Sequence, residues 1–359
     1  MADEQNHAPR RRAARSRTLR VIVLMHEELV PPESLKGHPD KAVAEWKTEF
    51  DVSTAIHDLG HDVMKVGLRD DLGVLLKALD EHKPHVSFNL LEEFHDVALY
   101  SAYVLSYLEL KRCPYTGCNP RGLMLAADKG LAKKVLAFHR IPAPLFTVMP
   151  IGRRVRRPRR LEFPLIVKSL QEEASLGIAQ ASVVWSDDKL VQRVAFIHEQ
   201  IGTDALVEQY IEGRELYLGV IGNQRLTTFP LWEMFFENLP EGAPRIATRK
   251  VKWDEGYQKR IGLTTGPATD IAPELARQIE RLCKRAYRLL GLSGYARFDL
   301  RLTADGRVFV IEANPNPQLA FGEDFAESAD FAGVKYTQLI GKILSLGLSF
   351  RPMWRETGG

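Results

Sequence analysis

The segment GYARFDLRLTADGRVFVIEANPNP, residues 294–317, constrains the fold of this chain more than any other feature. Two strand-like runs flank Asp305-Gly306, a dipeptide typical of two-residue β-hairpin turns. If these two residues form the loop, Asp299 lies directly opposite Glu312 on the neighbouring strand. The segment therefore predicts an antiparallel hairpin that carries two facing carboxylates.

The same register groups further polar residues with these carboxylates, because side chains two positions apart share a face of a strand. Arg297 then lies opposite Asn314, while the other face carries apolar residues such as Ile311. Facing carboxylates repel each other and destabilise a sheet, and a divalent cation removes that conflict. Oxygen ligands suit Mg²⁺ or Mn²⁺, often shared with phosphates. We predict a metal site of Asp299, Glu312 and Asn314; the alternative is a solvated face whose acids point to water.

Positive charges for phosphate groups would have to come from separate lysines, because neither G-x-x-x-x-G-K-[ST] nor G-x-G-x-x-G occurs. This argues against a P-loop NTPase and an ordinary dinucleotide site. Lys168 ends the apolar strand PLIVKS, where a charge is costly without a partner. Lys129 opens a helix, and helix N-termini attract anions. Ser175 lies in the stretch 171–180, whose backbone could cover phosphates. Each lysine taken alone could instead be an ordinary surface residue.

The order of the predicted elements indicates an α/β protein. An apolar run at 19–25 suits a buried parallel strand, and strands alternate with helices up to about residue 122. Two short apolar runs, 205–211 and 214–222, are predicted to pair with each other around Glu212-Gly213. Apolar residues at steps of three and four predict an amphipathic helix over 273–292.

Arginine is concentrated in two blocks, although the net charge of this 359-residue chain is only +3. Six arginines lie in residues 10–20 and six in 153–160, while the rest of the chain is mildly acidic. Clustered arginines can bind a phosphate backbone. No aromatic residue interleaves with either block, as stacking on a single strand requires. We therefore do not expect nucleic acid as a partner, and we interpret both blocks as solvated accessories.

The cysteine content suits a cytoplasmic protein with reduced thiols. There are three cysteines, an odd number, and their spacing matches no zinc site. No run of about 18 apolar residues occurs, so we expect no membrane span. Residues 1–18 are interpreted as a disordered basic arm.

Four segments, in the same order, resemble the ATP-grasp superfamily and most closely its D-alanine–D-alanine ligases. PYTGCNPRGLMLAADKGLAKKVL resembles their PYTG…DK segment, and FPLIVKSLQEEASLGIAQ resembles their VKP…GSS-x-G loop. LVEQYIEGRELYLGVIG resembles their hinge and the strand after it. GYARFDLRL…VFVIEANPNPQLA resembles their G-x-x-R-x-D…E-x-N-x-x-P-G pattern. The resemblance extends from Pro114 to Leu346.

This resemblance implies an α/β (α+β) ATP-grasp fold. A small Rossmann-like N-terminal domain over 19–124 would precede two ATP-grasp subdomains, 125–205 and 206–350, which sandwich ATP. The cofactors would be ATP and Mg²⁺ (or Mn²⁺), the substrates a small carboxylate and an amine, and the assembly a homodimer. The implied reaction activates the carboxylate as an acyl phosphate, from which the amine displaces phosphate.

The resemblance also implies which residues hold the nucleotide base and sugar. Glu208, with the backbone from Gln209 to Ile211, would read the adenine edge. Glu215 would hold the ribose hydroxyls, and Ile311 would contact the nucleotide.

Further matching residues would act on the phosphates. Lys129 and Lys168 would hold the ATP phosphates, and Ser175 would lie in the mobile loop that covers them. Lys252 and Arg297 would act on the transferred phosphate, and Arg297 would also stabilise the tetrahedral intermediate. The residues implied to bind two Mg²⁺ are Asp299, Glu312 and Asn314.

The chain departs from these ligases where they hold their amino acids. HEELVPPESLKG (26–37) replaces S-x-E-x-x-V-S, and NLLEEFHD (89–96) replaces HGxxGEDG. Gln318 stands in place of the glycine that supplies an oxyanion N–H. The acidic residues of 92–96 could meet a substrate amine or form a solvated helix N-terminus.

Three functions therefore stay open. The first is an ATP-dependent ligase of a carboxylate and an amine, acting on amino acids or peptides. The second is an authentic D-alanine–D-alanine ligase of peptidoglycan synthesis. The third is a non-catalytic protein that binds nucleotides or nucleic acid.

Overall fold

The strands in the described part of the chain form three sheets, which follow one another along the sequence. The computed structural model describes residues 18–170, 178–240, 242–246, 248, 251 and 254–352. The predicted basic arm, except for its last residue, and the predicted site residues Ser175 and Lys252 lie outside the described residues.

The first sheet has three parallel strands, with the first strand in the centre. Its strands are β1 (Arg20–His26), β2 (Asp62–Leu68) and β3 (Val86–Asn89). The helices of this region are α1 (Asp40–Glu45), α2 (Lys47–Asp58), α3 (Leu72–His82) and α4 (Ser101–Leu110). Both faces of the sheet are covered, as is usual for parallel sheets.

The predicted buried run at 19–25 is confirmed as β1. Val21 and Val23 pack in one core with α2, whereas Ile22 and Leu24 pack in another core with α3 and α4. His26 and Asn89 end β1 and β3 on the same edge of the sheet. Ligands of open α/β sheets bind in the crevice outside this edge.

The second sheet has four strands in the order β4-β7-β5-β6. These are β4 (Phe146–Met149), β5 (Leu165–Ser169), β6 (Val183–Val184) and β7 (Ala205–Gln209). The helices nearby in sequence are α5 (Pro120–Ala127), α6 (Lys129–Phe138) and α7 (Asp187–Phe196). Since β7 runs to Gln209, this sheet extends past the predicted boundary at residue 205.

The third sheet carries the predicted hairpin, and its strand order is β11-β10-β8-β12-β13, with β9 beside β8. Its strands are β8 (Arg214–Ile221), β9 (Thr227–Thr228), β10 (Trp232–Phe236), β11 (Leu263–Pro267), β12 (Tyr295–Leu302) and β13 (Val308–Pro315). The remaining described helices are α8 (Glu255–Ile261), α9 (Pro273–Leu289), α10 (Asp324–Phe331) and α11 (Tyr336–Ser349). The last of these, α11, packs back onto α2 and β3 of the first sheet.

The predicted pairing of 205–211 with 214–222 is wrong, because β7 and β8 belong to different sheets. The chain crosses from one sheet to the other at Gly213. A Cβ atom at this position would lie 2.2 Å from the carbonyl oxygen of Leu302. Only glycine fits that close approach, so the Glu212-Gly213 pair marks a crossing between sheets and not a hairpin turn.

The predicted hairpin forms, but its turn differs from the prediction. Leu302 pairs with Val308, and the Thr303 N–H donates to the Arg307 carbonyl, which leaves the three-residue loop 304–306. Gly306 has a φ of +83°, the left-handed residue that such loops need. A β-bulge between Asp299 and Leu300 then restores the predicted register.

The extra residue of this bulge is Ile311, because Asp299 pairs with Glu312 while Leu300 pairs with Val310. Val310 is fully buried in the core beneath the sheet, and Ile311 is only half-buried. The apolar face predicted to carry Ile311 or its neighbour is therefore occupied by Val310, since the bulge shifts the inward positions by one residue.

One arginine of the block at 153–160, Arg157, attaches this segment to the rest of the protein. The guanidinium of Arg157 binds Asp187 and the Leu161 carbonyl, and it lies 4.6 Å from the centre of the Phe163 ring. The other five arginines of 153–160 are exposed.

All three cysteines are buried thiols. Among the described residues, no helix combines the length and the apolarity needed to cross a membrane.

Candidate active site

Asp299 and Arg297 form a half-buried ion pair on one face of β12. Nε of Arg297 lies 2.8 Å from one oxygen of Asp299, and a terminal nitrogen lies 3.1 Å from the other. The guanidinium also lies 4.6 Å from the centre of the Tyr217 ring. Burial lowers the pKa of Arg297, but the nearby Asp299 outweighs burial and holds that pKa above its usual value. This arginine therefore stays charged.

Glu312 and Asn314 complete the predicted cluster on β13. Glu312 is the register partner of Asp299, and Asn314 is the register partner of Arg297. Within the described part of the chain, Nδ2 of Asn314 is buried without a hydrogen-bond partner. Two carboxylates and an amide offer only oxygen ligands to a cation, and this donor set fits Mg²⁺ or Mn²⁺.

Two buried lysines share the carboxylate of Glu208 on the second sheet. Lys168 on β5 and Glu208 on β7 are diagonal neighbours on the face turned away from the apolar core. Nζ of Lys168 lies 3.1 Å from one oxygen of Glu208, and Nζ of Lys133 lies 3.4 Å from the other. All three residues are at most 5% exposed. The lysine that ends the apolar strand therefore has the partner that its burial requires.

The two lysines differ in how burial affects their charge. Burial lowers the pKa of Lys133, and the attraction of Glu208 does not fully offset this effect. Burial also lowers the pKa of Lys168, but Glu208, Glu312 and Asp299 together outweigh it and raise that pKa. The acidic hairpin thus lies close enough to Lys168 to stabilise its charge. Two sheets contribute opposite charges to one site.

Lys133 is a residue that the sequence analysis missed. It lies on α6, where its Nζ also donates a 2.8 Å hydrogen bond to the carbonyl of Ile311. Its position one turn after Lys129 and three residues before the buried Leu136 was the available signal. Residues at these spacings share a helix face, so Lys133 follows from the helix pattern rather than from a motif.

Lys129 begins α6 as predicted. The carboxylate of Asp128 caps the helix by accepting a 2.8 Å hydrogen bond from the Leu131 N–H. Lys129 is half-buried, and it lies four residues before Lys133 on the helix. Its side chain is therefore directed to the same side as the buried lysine pair.

The residues predicted to hold the adenosine lie along the crossing between the sheets. Gln209 is exposed at the end of β7, and Ile211 is buried just beyond it. One oxygen of Glu215 accepts from Arg301 at 2.7 Å, and the other accepts from the Tyr217 hydroxyl at 3.1 Å. Glu215 also lines a cavity of about 370 Å³ at the start of β8.

A second polar cluster lies at the carboxyl ends of β1 and β3. One ligand-capable atom each of His26, Glu93 and Asp96 lies within 4.8 Å of the others. His26 is 8% exposed, and its Nδ1 accepts a hydrogen bond from the Glu28 N–H. The proton of a neutral ring therefore lies on Nε2, which is 4.0 Å from an oxygen of Glu93. These residues occupy the crevice where sheets of this type bind ligands.

The chain is similar in sequence to a protein-family model and to several known proteins. The sequence profile of the D-ala D-ala ligase C-terminus matches residues 152–345, more than half of the chain. An uncharacterized protein of Sinorhizobium fredii is 30% identical over 303 residues, which are 82% of this chain and 85% of that protein. A D-alanine–D-alanine ligase of Bordetella petrii is 32% identical over 242 residues, 66% of this chain and 69% of that ligase.

The solved structures agree with the profile. A crystal structure of the D-alanine–D-alanine ligase from Bacillus anthracis complexed with ATP superposes with a TM-score of 0.69 at 20% identity. The match covers 95% of this chain and 100% of that chain. This likeness confirms the predicted ATP-grasp fold. The profile and the relatives together show that the chain belongs to the D-alanine–D-alanine ligase family.

Proposed function

We propose that this protein is an ATP-dependent ligase that joins a carboxylate to an amine through an acyl phosphate. One observation carries the proposal: Lys133 binds both Glu208, which also holds Lys168 on the second sheet, and the Ile311 carbonyl next to Glu312 on the third, and the charges of Glu312 and Asp299 raise the pKa of Lys168. A site with a buried lysine on one side and facing carboxylates on the other suits a polyphosphate together with a divalent cation.

ATP would lie between the second and third sheets. Lys129 and Lys168 would bind its phosphates, and Glu215 would hold the ribose. Glu208 and the backbone from Gln209 to Ile211 would contact the adenine. A carboxylate has about four acceptor sites, so Glu208 can hold two lysines and still accept a hydrogen bond from the base. The predicted contact of Ile311 with the nucleotide belongs to the same proposal.

Mg²⁺ (or Mn²⁺) would be held by Asp299, Glu312 and Asn314. A bound divalent cation neutralises charge on phosphate oxygens during transfer. Arg297 would add a fixed positive charge beside this centre. Ser175 and Lys252 are proposed, from the family pattern alone, to cover the phosphates and to contact the transferred group.

The proposed reaction has two steps. An oxygen of the substrate carboxylate attacks the γ-phosphorus of ATP, and ADP leaves. The nitrogen of the amine then attacks the acyl carbon, the bond from this carbon to the phosphate oxygen breaks, and the amine loses a proton. Negative charge spreads over oxygens in both steps, so the fixed charges of Arg297 and Lys168 stabilise the transition states.

The substrates would enter from the first sheet. His26, Glu93 and Asp96 lie in its crevice and could bind an ammonium or hydroxyl group of a substrate. Since 26–37 and 89–96 differ from the family pattern, we propose an amino acid or peptide substrate of undefined stereochemistry. An authentic D-alanine–D-alanine ligase is the narrower alternative that family membership favours.

An ADP-release screen tests this proposal. Purified protein with Mg-ATP is offered pairs of D- and L-amino acids and dipeptides, and products are weighed by mass spectrometry. We expect ADP release that depends on an amine, with a product equal to both substrates less one water. D-Alanine alone tests the narrower alternative. Binding of Mg-ATP without turnover in any pair would argue for a non-catalytic protein.

We propose in addition that the protein acts in the cytoplasm as a homodimer. Leu110 and Phe138 are both more than four-fifths exposed, and a contact between subunits that covered them would remove apolar surface from water. Sedimentation of the purified protein distinguishes a dimer from a monomer.

A further inference from the structure

Lys133 connects the two halves of the proposed ATP site. It belongs to α6, yet its Nζ binds Glu208 on the second sheet and the carbonyl of Ile311 on the third. It is 3% exposed, so both contacts are made in the interior of the protein. A buried ammonium has three protons to donate. Lys133 uses them to connect the second and third sheets.

The contact with Ile311 is made at the bulge that sets the hairpin register. The extra residue of a β-bulge is left out of the regular ladder, and its polar groups need other partners. Lys133 supplies that partner for the Ile311 carbonyl. Because Ile311 directly precedes Glu312, this hydrogen bond fixes the point at which Glu312 comes to face Asp299.

The contact of Lys133 with Glu208 affects the net charge around Lys168. Glu208 can neutralise only one lysine, and it lies between two of them. With Lys133 present, the three charged groups sum to one positive charge. Without Lys133, Glu208 and Lys168 would cancel each other, and less positive charge would face a phosphate.

We propose that Lys133 is a positioning residue that sets both the charge of Lys168 and the placement of Glu312. It touches neither substrate nor cation, and it acts through Glu208 and through Ile311. This inference rests on the proposed function and deepens it, because it couples affinity for ATP to affinity for Mg²⁺ at one buried side chain.

The test compares Lys133→Met with Lys134→Met, which removes an exposed lysine from the adjacent position of the same helix. Calorimetry measures binding of a non-hydrolysable ATP analogue over a range of Mg²⁺ concentrations. We expect Lys133→Met to weaken analogue binding about 10- to 100-fold and to need more Mg²⁺ for half-maximal binding. Lys134→Met should bind as the wild type does.

The double variant Lys133→Met/Glu208→Gln separates charge balance from packing. It removes an acid and a base together, so it should fold even where Lys133→Met alone does not. We expect the loss caused by Lys133→Met to be several-fold smaller in the Glu208→Gln background than in the wild type. An equal loss in both backgrounds would contradict the charge role.

Wild-type affinity and wild-type Mg²⁺ dependence in a folded Lys133→Met protein would overturn this inference alone. Failure of the wild-type protein to bind the analogue at any Mg²⁺ concentration would instead contradict the proposed function, and this inference with it. The two failures are therefore distinguishable, and neither requires the amino-acid substrates to be known.

Discussion

Asp299 on β12 faces Glu312 on β13. Between this pair and the turn, β13 contains one residue more than β12, and this extra residue sets the pairing. The three-residue loop alone would place Asp299 opposite Ile311. The bulge at Ile311 moves Glu312 into that position and turns the Ile311 carbonyl toward Lys133. Two like charges are thus placed opposite each other by a specific irregularity of the backbone, and the cation that we propose to bind here would remove their repulsion.

Glu312→Gln removes one of the two facing carboxylates with little change in shape. We expect the rate of ADP formation to fall about 10²- to 10³-fold, since a fixed group at the phosphate is lost. The effect should be greatest at low Mg²⁺ concentration. Steady-state ADP release, measured with the best substrate pair at several Mg²⁺ concentrations, provides the values.

Asp305→Asn is the matched control for Glu312→Gln. Asp305 lies in the turn of the same hairpin, where it pairs with Arg307 and is exposed. Its substitution should leave ADP formation unchanged. Equal activity of Glu312→Gln and Asp305→Asn would refute the cation site on this hairpin.

Gly306→Ala tests the turn. Gly306 has a φ of +83°, and an added Cβ would meet no atom within 4 Å. The cost is therefore limited to the left-handed backbone, about 1–2 kcal/mol of the free energy of unfolding. Urea denaturation measures it, and ADP formation should persist because the bulge still sets the register of Glu312.

Gly213→Ala provides a contrast to Gly306→Ala. Its Cβ would lie 2.2 Å from the Leu302 carbonyl oxygen, so the crossing between the second and third sheets would have to move. We expect a larger loss of stability than at Gly306. A smaller loss would show that the crossing tolerates a side chain.

Glu49 makes the stability of the protein depend on pH. It is 5% exposed on α2, and burial, followed by the charges of Glu92 and Asp51, raises its pKa from 4.5 to about 7. Between these values the folded protein keeps a proton that the unfolded chain has lost. The stabilisation is therefore complete below the unfolded pKa and is lost as the pH rises through about 7, with a size on the order of 3 kcal/mol.

Urea unfolding at about pH 5 and about pH 8 gives the change in the free energy of unfolding between the two pH values. The contribution of Glu49 is the difference between this change in the wild type and in Glu49→Gln. The variant, which cannot ionise at this position, should lose less stability between the two pH values. Glu45→Gln, at an exposed site nearby, should behave as the wild type does. A wild-type pH dependence in Glu49→Gln would show that other groups are responsible.

The pairing of Asp299 with Glu312 could be predicted from the sequence, although for a reason that was only partly right. The Asp-Gly pair indicated a turn, and the two-residue loop gave the correct pairing of Asp299 with Glu312. The structure reaches this pairing through a longer loop and a compensating bulge. Bulges have no strong local sequence signal, so the inward position of Val310 in place of Ile311 could not be predicted.

Contacts between segments far apart in sequence could not be predicted from local sequence patterns. The runs on either side of Gly213 look like a hairpin, because consecutive strands usually pair. The strand pairings of the structure show that the chain changes sheets there, at a glycine that closely approaches Leu302. Lys133 was missed for a related reason: its partners, Glu208 and Ile311, lie far from it in sequence.

The most direct test of the acyl-phosphate reaction follows one oxygen atom. The carboxylate that supports ADP release is labelled with ¹⁸O and incubated with Mg-ATP and the amine, and the released phosphate is analysed by mass spectrometry. The proposed reaction predicts one ¹⁸O atom per phosphate, because the attacking carboxylate oxygen stays on phosphorus when the amine displaces it. Unlabelled phosphate released together with the condensed product would contradict it.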